Sequence, residues 1–414
     1  MINVIAIFDI GKTNKKLFLF DEQYRIVWER SGVCAQIVDE DGEPCEDLAL
    51  LTQWLYTSLA QVAALPDFHI KAINFSAYGA SLVYIGGDGM PVAPLYNYLK
   101  PYPAPLKKKF YDTYGGEITF SMLTASPVLD SLNSGMQLYR IKEERPDLYA
   151  NIAFVLHLPQ YLSFLLTGQA CSDITSIGCH TNLWNFSQGG YHEWVYREGV
   201  IDKLAPILPS TTVLPVRLLP VVGQPDGLSG LREQERPAGV GGLAIPFAGI
   251  GLHDSSAAMI PYLESFREPF VLISTGTWCI SMNPFDDSPL TVAALQKDCL
   301  CYMSYQGRPV KASRLFAGYE HEQQVQRLAA HFNCSPARAA VVTFDAGCAA
   351  DLRSHGSGAF DRRELTDFTS FEAAYHRLMM DIMDQQVDST RLVLQDSNTH
   401  RIFVDGGLDR KSVV

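Results

Sequence analysis

The sequence lacks any basic cluster long enough to follow a nucleic-acid backbone, and its charge balance is acidic. Its 414 residues include 33 lysines and arginines against 45 aspartates and glutamates, which gives a net charge of −12. Such an acidic chain is repelled by phosphate polymers and by anionic lipid surfaces. These features argue against nucleic acid and membrane as partners, and they favour a small-molecule partner.

Long apolar runs, a secretion signal and paired cysteines are also missing. The most apolar stretch, residues 152–168 (IAFVLHLPQYLSFLLTG), is interrupted by polar residues and proline, and it is too short to span a bilayer. The N-terminus, MINVIAIFDIG, has no basic region and soon reaches an aspartate, unlike a signal peptide. The nine cysteines form no C-x-x-C pair, which indicates reduced thiols in the cytoplasm and no zinc knuckle or disulfide framework.

The apolar pattern that is present predicts an α/β protein with two domains, because the chain is longer than one hydrophobic core usually serves. The runs VIAIFDIG, KLFLFD and YRIVWERSG predict three consecutive antiparallel strands. Residues 46–65 have apolar residues at helical spacing, and IKAINFSAYG predicts a further buried strand. This order is typical of a mixed sheet covered by helices.

A change in composition predicts where the first domain ends. Residues 204–242 are rich in proline and glycine and have little helical pattern. We therefore predict domains at residues 1–243 and 244–414. A strand that ends in a glycine-and-hydroxyl turn occurs near Asp9 and again near Ser274, which suggests two similar domains, each with a phosphate loop.

The first of these turns, in FDIGKTNKKLFLFD (residues 8–21), superficially resembles a P-loop. Its GKT matches the end of that motif, but Ala6 occupies the position that requires a glycine. A P-loop also opens a helix whose N-terminal amides bind the phosphates, whereas the alternating KLFLFD predicts a strand. The P-loop interpretation is therefore poor.

A strand–turn–strand can bind phosphate in another way. Its backbone N–H groups and the hydroxyl of Thr13 can point at phosphate oxygens. Lys12, Lys15 or Lys16 can add positive charge, and Asp9 can hold Mg²⁺ through water, because that ion retains much of its hydration shell. The structural alternative is a plain hairpin turn with solvated lysines.

Three further motifs combine small and polar residues at the ends of predicted strands. ISTGTW (residues 273–278) surrounds Gly276 with hydroxyls, and GLHDSSAA (residues 251–258) places Asp254 where a helix begins. VDGG (residues 404–407) ends a strand with two glycines that would let the backbone lie against an adenine ring. The structural alternatives are a glycine-containing strand end, a helix N-cap and a simple turn, respectively.

Together, the four motifs resemble those of the FGGY carbohydrate kinases, in the fold superfamily of actin, hexokinase and Hsp70. The resemblance extends from the first strand to Gly407 and is most specific at the first loop, GLHDSSAA and STGTW. It implies a two-lobed, ribonuclease H-like α/β fold with mixed sheets flanked by helices in each lobe. Within the family, G-x-H-D and S-x-G-T-W are most similar to rhamnulokinase and fuculokinase, which phosphorylate 6-deoxy-L-ketoses.

The resemblance also implies a role for each motif. Asp254 would be the catalytic base, which accepts the proton of a sugar hydroxyl as its oxygen attacks the γ-phosphate of ATP. His253 would contact the sugar, and Asp9 would organise Mg²⁺. The residues implied to bind ATP are Gly11, Lys12, Thr13, Asn14 and Lys15 in the first loop, Gly276 and Thr277 in the second loop, and Gly406 and Gly407 at the adenosine.

On the sugar side, the resemblance implicates Tyr78 and Gly79 in SAYGASLVYIGGDG and Asn97 in YNYLKPYP. The family often has W-x-D or Y-R-D where Asn97 stands, but an amide can also bind hydroxyls as donor and acceptor. The expected function is ATP- and Mg²⁺-dependent phosphorylation of a small sugar such as L-rhamnulose or L-fuculose, by a monomer or homodimer. Xylulose, glycerol and gluconate are the alternative substrates.

The end of the sequence carries one further expectation. The resemblance implies a helix, a strand and a closing helix after D-G-G, where this sequence has only LDRKSVV. We therefore expect either an abbreviated nucleotide site or a truncated product with impaired affinity for ATP. The alternative to a kinase is a catalytically impaired sugar-binding protein on the same fold.

Overall fold

The protein is described by a computed structural model for residues 1–217, 245–353, 356, 358–394 and 397–406. It divides into two compact units. The first comprises Met1–Ile260 and Tyr302–Arg308. The second comprises Pro261–Cys301 and the described residues from Pro309 onward.

The elements of the first unit, within the described residues, are as follows. Its strands are β1 (Ile2–Ile10), β2 (Lys15–Phe20), β3 (Ile26–Gly32), β4 (Gln36–Val38), β5 (Pro44–Glu46), β6 (Phe68–Ala77), β7 (Leu82–Gly86), β8 (Ile152–His157), β9 (Ser172–Asp173), β10 (Trp184–Asn185), β11 (Gly190–Tyr191), β12 (Ile207–Leu208), β13 (Val213–Pro215), β14 (Phe247–Gly249) and β15 (Leu252–His253). Its helices are α1 (Leu48–Ala63), α2 (Ala104–Thr113), α3 (Glu117–Thr124), α4 (Ser134–Glu144), α5 (Pro146–Asn151), α6 (Leu158–Thr167), α7 (Ile174–Ile177) and α8 (Glu193–Arg197), and α9 (Asp254–Ser265) begins in this unit.

The main sheet of the first unit has the strand order β13-β14-β6-β1-β2-β3, and β15 also pairs with β6. The three strands predicted from the first apolar runs are confirmed as the antiparallel series β1, β2 and β3. Strand β6 is parallel to β1. The alternating pattern of β1 buries every second residue, and Phe8 stacks on Phe75 of β6 with ring centroids 5.7 Å apart.

Helix α1 covers this sheet as its apolar spacing predicts. The Asp47 carboxylate caps the helix by accepting a hydrogen bond from the Leu50 N–H at 2.9 Å. Leu51, Leu55 and Leu59 recur at helical spacing and are buried in the core. The sheet and its covering helix therefore follow directly from local sequence patterns.

The boundary between the units differs from the one predicted at residues 243 and 244. Strands β14 and β15 follow that point, yet both pair in parallel with β6 of the first sheet. Sheet pairing therefore extends the first unit to Ile260. Asp254 therefore belongs to the first unit, whereas the sequence analysis had placed it in the second domain.

The second unit contains, within its described residues, one five-stranded sheet flanked by helices. Its strands are β16 (Val271–Thr275), β17 (Cys279–Asn283), β18 (Cys299–Met303), β19 (Pro309–Leu315) and β20 (Ile402–Gly406), and its helices are α10 (Val292–Leu295), α11 (Ala317–His331), α12 (Ala346–Leu352) and α13 (Phe371–Leu394). The sheet order is β18-β19-β17-β16-β20.

The two units repeat one strand arrangement. In the first, the hairpin β1–β2 is antiparallel and β6 joins β1 in parallel. In the second, the hairpin β16–β17 is antiparallel and β20 joins β16 in parallel. This repeat agrees with the similar domains that the two glycine-and-hydroxyl turns suggested.

Two further findings concern membrane-spanning helices and the state of the cysteines. Among the described helices, none combines the length and the apolar character needed to cross a bilayer. All nine cysteines are free thiols, and six of them are buried.

Candidate active site

Three parallel strands of the first unit end at one edge of the sheet and bring the predicted acidic residues together. In the register of β6, Ser76 has Asp9 of β1 on one side and Leu252 of β15 on the other. One residue further on, Ala77 has His253 as its β15 partner. The carboxyl ends of parallel strands in open α/β sheets are where ligands usually bind. Asp9 and Asp254 are therefore placed at such an edge.

Asp254 is the first residue of α9. Its Oδ1 accepts hydrogen bonds from the N–H of Ser255 at 2.6 Å and from the hydroxyl of Ser255 at 3.2 Å. An N-cap residue would instead bond the second or third amide of the helix, so capping does not explain this aspartate. Burial raises the pKa of Asp254 to about 6, although 37% of the side chain is exposed. The carboxyl group is thus both accessible and a stronger base than usual.

Asp9 is half-buried at the end of β1. Burial and then the nearby charge of Asp254 raise the pKa of Asp9 to about 6, while Lys16 and a hydrogen bond from Ser76 oppose the increase. The charge of Asp254 makes ionisation of Asp9 less favourable, and a bound cation would offset that repulsion. The proximity of the two carboxylates is a positive indication of a cation site.

The donor set at this edge fits Mg²⁺ better than a metal that needs a complete protein cage. Among the described residues, there is no group of three or more histidine, cysteine, aspartate or glutamate side chains that could hold a metal ion. Mg²⁺ keeps several water molecules and is usually bound through one or two carboxylates together with substrate phosphates. Asp9 could supply one such carboxylate, as the sequence analysis expects.

His253 is buried directly beside Asp254. Its Nε2 lies 3.2 Å from Asp254 Oδ1 and 3.2 Å from the Sγ of Cys179, and its Nδ1 lies 3.4 Å from the hydroxyl of Ser256. Burial lowers the pKa of His253 to about 3, so the imidazole is neutral near pH 7. A neutral imidazole can donate or accept a hydrogen bond without competing with Asp254 for a proton.

Gly79 allows the sheet edge to approach His253 closely. A Cβ atom at Gly79 would lie 3.0 Å from His253 Cδ2 and 3.1 Å from the Sγ of Cys179. The structure therefore brings together Gly79, His253 and Asp254, all of which the sequence analysis had placed at the substrate. Cys179 was not anticipated, because its contact with His253 joins residues far apart in the sequence.

The two other predicted sugar-side residues lie in different surroundings. Tyr78 is buried, and its ring centroid lies 6.1 Å from that of Tyr98. Asn97 is also buried, and its Oδ1 accepts a hydrogen bond from the Leu99 N–H at 3.0 Å. Asn97 lines a pocket with Arg140 that does not include Asp254. The amide oxygen of Asn97 is used within its own turn, and its role in binding the sugar stays a prediction.

The first loop joins β1 to β2 as a tight turn. The N–H of Gly11 donates to the carbonyl oxygen of Asn14 at 2.9 Å, and Thr13 and Asn14 are exposed. Lys16 lies on the same face as Asp9, because the two residues are register partners in neighbouring strands. This arrangement leaves exposed loop backbone next to a carboxylate and a lysine.

The lysines of the loop point in different directions, which corrects one sequence prediction. The ammonium of Lys15 is only 1% exposed, and it donates to the Glu46 carboxylate at 3.2 Å and to two loop carbonyls. Lys12 is mostly buried and lies 3.3 Å from Glu46. The prediction that Lys15 contacts a phosphate does not fit this geometry, because its donors are directed into the protein.

The second loop, in the second unit, also joins two antiparallel strands, β16 and β17. The N–H of Gly276 donates to the carbonyl oxygen of Trp278 at 3.0 Å, and the N–H of Gly318 donates to the carbonyl oxygen of Thr277 at 3.1 Å. A Cβ atom at Gly318 would lie 2.2 Å from the carbonyl oxygen of Gly276. The start of α11 therefore packs against the loop at a distance that only glycine permits.

Gly406 lies next to this loop. It is the register partner of Thr275 at the parallel ends of β20 and β16. Its φ of +108° and a Cβ position 2.0 Å from the carbonyl oxygen of Thr275 both require glycine. The structure thus brings Gly276, Thr277 and Gly406 to one edge of the second sheet, whereas Gly407 lies outside the described residues.

Two family profiles match the sequence. Residues 4–259 match the N-terminal domain of the FGGY family of carbohydrate kinases, and residues 267–412 match the FGGY carbohydrate kinase C-terminal domain. The chain belongs to the FGGY family. The division between the two profiles agrees with the end of the first structural unit at Ile260.

Known FGGY relatives are similar in sequence at a low level. A rhamnulokinase from Yersinia pestis (strain Pestoides F) is 23% identical over 289 residues, which are 68% of this chain and 54% of the relative. A probable L-xylulose kinase from Pasteurella multocida (strain Pm70) is 24% identical over 217 residues, which are 50% of this chain and 41% of the relative. The chain spans about half the length of these curated relatives.

Solved FGGY structures confirm the predicted two-domain α/β fold. A carbohydrate kinase from Novosphingobium aromaticivorans has a TM-score of 0.70 and 23% identity, covering 97% of this chain and 84% of that one. The ligand-bound xylulose kinase from Lactobacillus acidophilus has a TM-score of 0.74 and 18% identity, covering 98% and 81%, respectively. At these identities, the similarity establishes the fold alone.

Proposed function

We propose that this FGGY protein transfers the γ-phosphoryl group of ATP, with Mg²⁺, to a hydroxyl of a small sugar. The observation that carries the proposal is the pair of carboxylates at the carboxyl ends of β1 and β15, the two strands that pair in parallel with β6 on either side. Burial raises the pKa of both Asp9 and Asp254 to about 6, and the charge of Asp254 contributes to the shift of Asp9. Phosphoryl transfer depends mainly on positioning and charge neutralisation, with one group available to accept a proton.

In this mechanism Asp254 is the general base. Its accessible carboxylate accepts the proton of the sugar hydroxyl as the oxygen of that hydroxyl attacks phosphorus. The neutral imidazole of His253 holds Asp254 in place through the contact between Nε2 and Oδ1. The close packing of Gly79 against His253 leaves the carboxylate at the open edge, where the sugar would lie.

Each loop, within its own unit, offers groups that could bind a phosphate of the nucleotide. The exposed residues of the first loop are Thr13 and Asn14, and those of the second loop are Gly276 and Thr277. Gly406 would let the adenosine approach the backbone of the second unit. Bound Mg²⁺ would supply neutralisation of charge on the transferring phosphate, and Asp9 would hold that ion, in part through water.

For the substrate we propose a 6-deoxy ketose such as L-rhamnulose or L-fuculose. The match to rhamnulokinase supports this choice, and the match to a probable L-xylulose kinase makes xylulose the first alternative. We propose that the first unit contributes the sugar site and the first phosphate loop, and that the second unit contributes the nucleotide site. The nine free thiols favour a reducing compartment such as the cytoplasm.

A coupled assay of ADP release tests the proposed function. The purified protein is incubated with ATP and Mg²⁺, and with L-rhamnulose, L-fuculose, xylulose, glycerol or gluconate in turn. We expect ADP release that depends on one ketose and stops when Mg²⁺ is chelated. Thermal stabilisation by a sugar without ADP release from any of them would instead indicate a sugar-binding protein without kinase activity.

The raised pKa values predict an unusual loss of activity in mild acid. The base must be ionised to accept a proton, and the pKa of Asp254 is about 6 and not the usual 3.8. The kcat/KM for the sugar should therefore fall by about tenfold per pH unit below about pH 6. A profile of ADP release against pH checks this, and a constant kcat/KM down to about pH 4 would contradict the role of Asp254.

A further inference from the structure

A buried lysine, Lys15, directly follows the first loop. Lys15 begins β2, where alternate residues face the interior, and it points inward with Leu17 and Leu19. Its ammonium is 1% exposed, and its partner Glu46 is 3% exposed. A buried charge is costly unless it is paired and hydrogen-bonded. The sequence retains a charge here where an apolar residue would continue the pattern of the strand.

The ammonium of Lys15 uses its donors on the loop backbone. It donates to the carbonyl oxygen of Gly11 at 3.0 Å and to the carbonyl oxygen of Lys12 at 2.9 Å. A third hydrogen bond, at 3.2 Å, goes to Oε2 of Glu46. All three donors of an ammonium are therefore engaged, and two of them hold consecutive loop carbonyls toward the interior.

The direction of those carbonyls sets the direction of the loop amides. In a trans peptide the C=O of one residue and the N–H of the next point to opposite sides of the chain. With the carbonyls of Gly11 and Lys12 turned inward, the N–H groups of Lys12 and Thr13 point outward. Consecutive outward N–H groups in a turn form a site suited to an anion.

We propose that Lys15 and Glu46 are positioning residues that orient the first loop, so that the amides of Lys12 and Thr13 face a phosphate of the nucleotide. This inference rests on the proposed function. Glu46 forms an ion pair with the Lys15 ammonium through Oε2, and its Oε1 lies 3.3 Å from the Lys12 ammonium. Lys12 in turn lies over the rings of Tyr78 and Tyr98, at 5.3 and 4.9 Å. Both lysines are thereby held inside, and the backbone is left to bind the anion.

Paired variants separate this role from a contribution to stability alone. Lys15→Met removes the donors and leaves Glu46 buried without this partner, whereas Lys15→Met with Glu46→Gln removes both charges. Lys203→Met is the matched control, because Lys203 also donates to a backbone carbonyl of the first unit, that of Ile152 at 2.6 Å. For each protein, calorimetry gives the Kd for MgATP, and thermal unfolding gives the Tm.

We expect Lys15→Met to weaken MgATP binding by about tenfold or more, which corresponds to the loss of one hydrogen bond to a charged group. The double variant should regain Tm relative to Lys15→Met but not regain MgATP affinity. Lys203→Met should bind MgATP like the wild type. The thermal shift caused by the sugar should be the same in all variants.

Two results would overturn the inference, and they differ from failure of the proposed function. If Lys15→Met binds MgATP as tightly as the wild type, the ammonium does not orient the loop. If the double variant regains both Tm and affinity, the ion pair contributes stability only. If the wild type itself does not bind MgATP, the proposed function fails and the inference fails with it.

Discussion

Asp254→Asn is expected to lower kcat for sugar phosphorylation by about 10²- to 10⁴-fold, the range of a general base. The amide has the same shape as the carboxylate, and its oxygen can still accept from the Ser255 N–H, as Oδ1 does at 2.6 Å. It cannot accept a proton from the sugar hydroxyl. The measurement is ADP release at saturating ATP and sugar, with sugar binding followed by thermal shift.

The substitution should leave the fold and sugar binding intact. The matched control is Asp88→Asn, because Asp88 is an exposed aspartate of the same unit whose Oδ1 accepts from the Met90 N–H at 2.9 Å. That variant should retain kcat within about twofold, as surface substitutions away from special features usually have small effects. Near-normal turnover in Asp254→Asn, with sugar still bound, would refute the assignment of Asp254 as the base.

Asp9→Asn is expected to raise the Mg²⁺ concentration needed for half-maximal activity by about 10- to 100-fold, the usual effect of losing a group that supports a metal. The half-buried carboxylate of Asp9 is electrostatically coupled to Asp254, and an amide supplies no negative charge to attract a cation. The measurement is ADP release titrated with Mg²⁺ at constant ATP.

The Mg²⁺ dependence separates this role from that of Asp254. Asp254→Asn should lose turnover at every Mg²⁺ concentration, whereas Asp9→Asn should recover part of it at high Mg²⁺. Removing the Asp254 charge should also lower the pKa of Asp9, since that charge is one cause of the raised value. An unchanged Mg²⁺ requirement in Asp9→Asn would show that this residue does not hold the ion.

The fold could be predicted where the signal is local. Alternating apolar residues identified β1, β2 and β3, and helical spacing identified α1. The two hairpin turns and the strand ends at Asp9 and Gly406 were predicted from short motifs. These patterns reflect the two-residue and 3.6-residue periods of the backbone, which do not depend on distant partners.

Contacts between distant segments could not be predicted in the same way. The Cys179–His253 contact and the Lys15–Glu46 pair each join residues separated by many positions. The domain boundary was misplaced because β14 and β15 pair with β6 across a long connection. The resemblance also could not show that the Asn97 amide oxygen accepts a hydrogen bond from Leu99 in its own turn.

The inward orientation of Lys15 was missed, although the sequence carries a signal for it. In KKLFLF the first lysine shares its strand face with two buried leucines, Leu17 and Leu19, and the second lysine shares its face with Phe18 and Phe20. The two-residue period therefore separates Lys15 from Lys16, with one facing the interior and the other facing the Asp9 side. Composition alone treats these lysines as equivalent.

The most direct test of the central claim is a crystal structure with Mg²⁺, a non-hydrolysable ATP analogue and the sugar that supports ADP release. The account predicts that one sugar hydroxyl lies within about 2.6–3.2 Å of an Asp254 carboxylate oxygen, the reach of a general base, and that Mg²⁺ lies beside Asp9. A sugar bound away from Asp254, or a metal ion held by other residues, would contradict it.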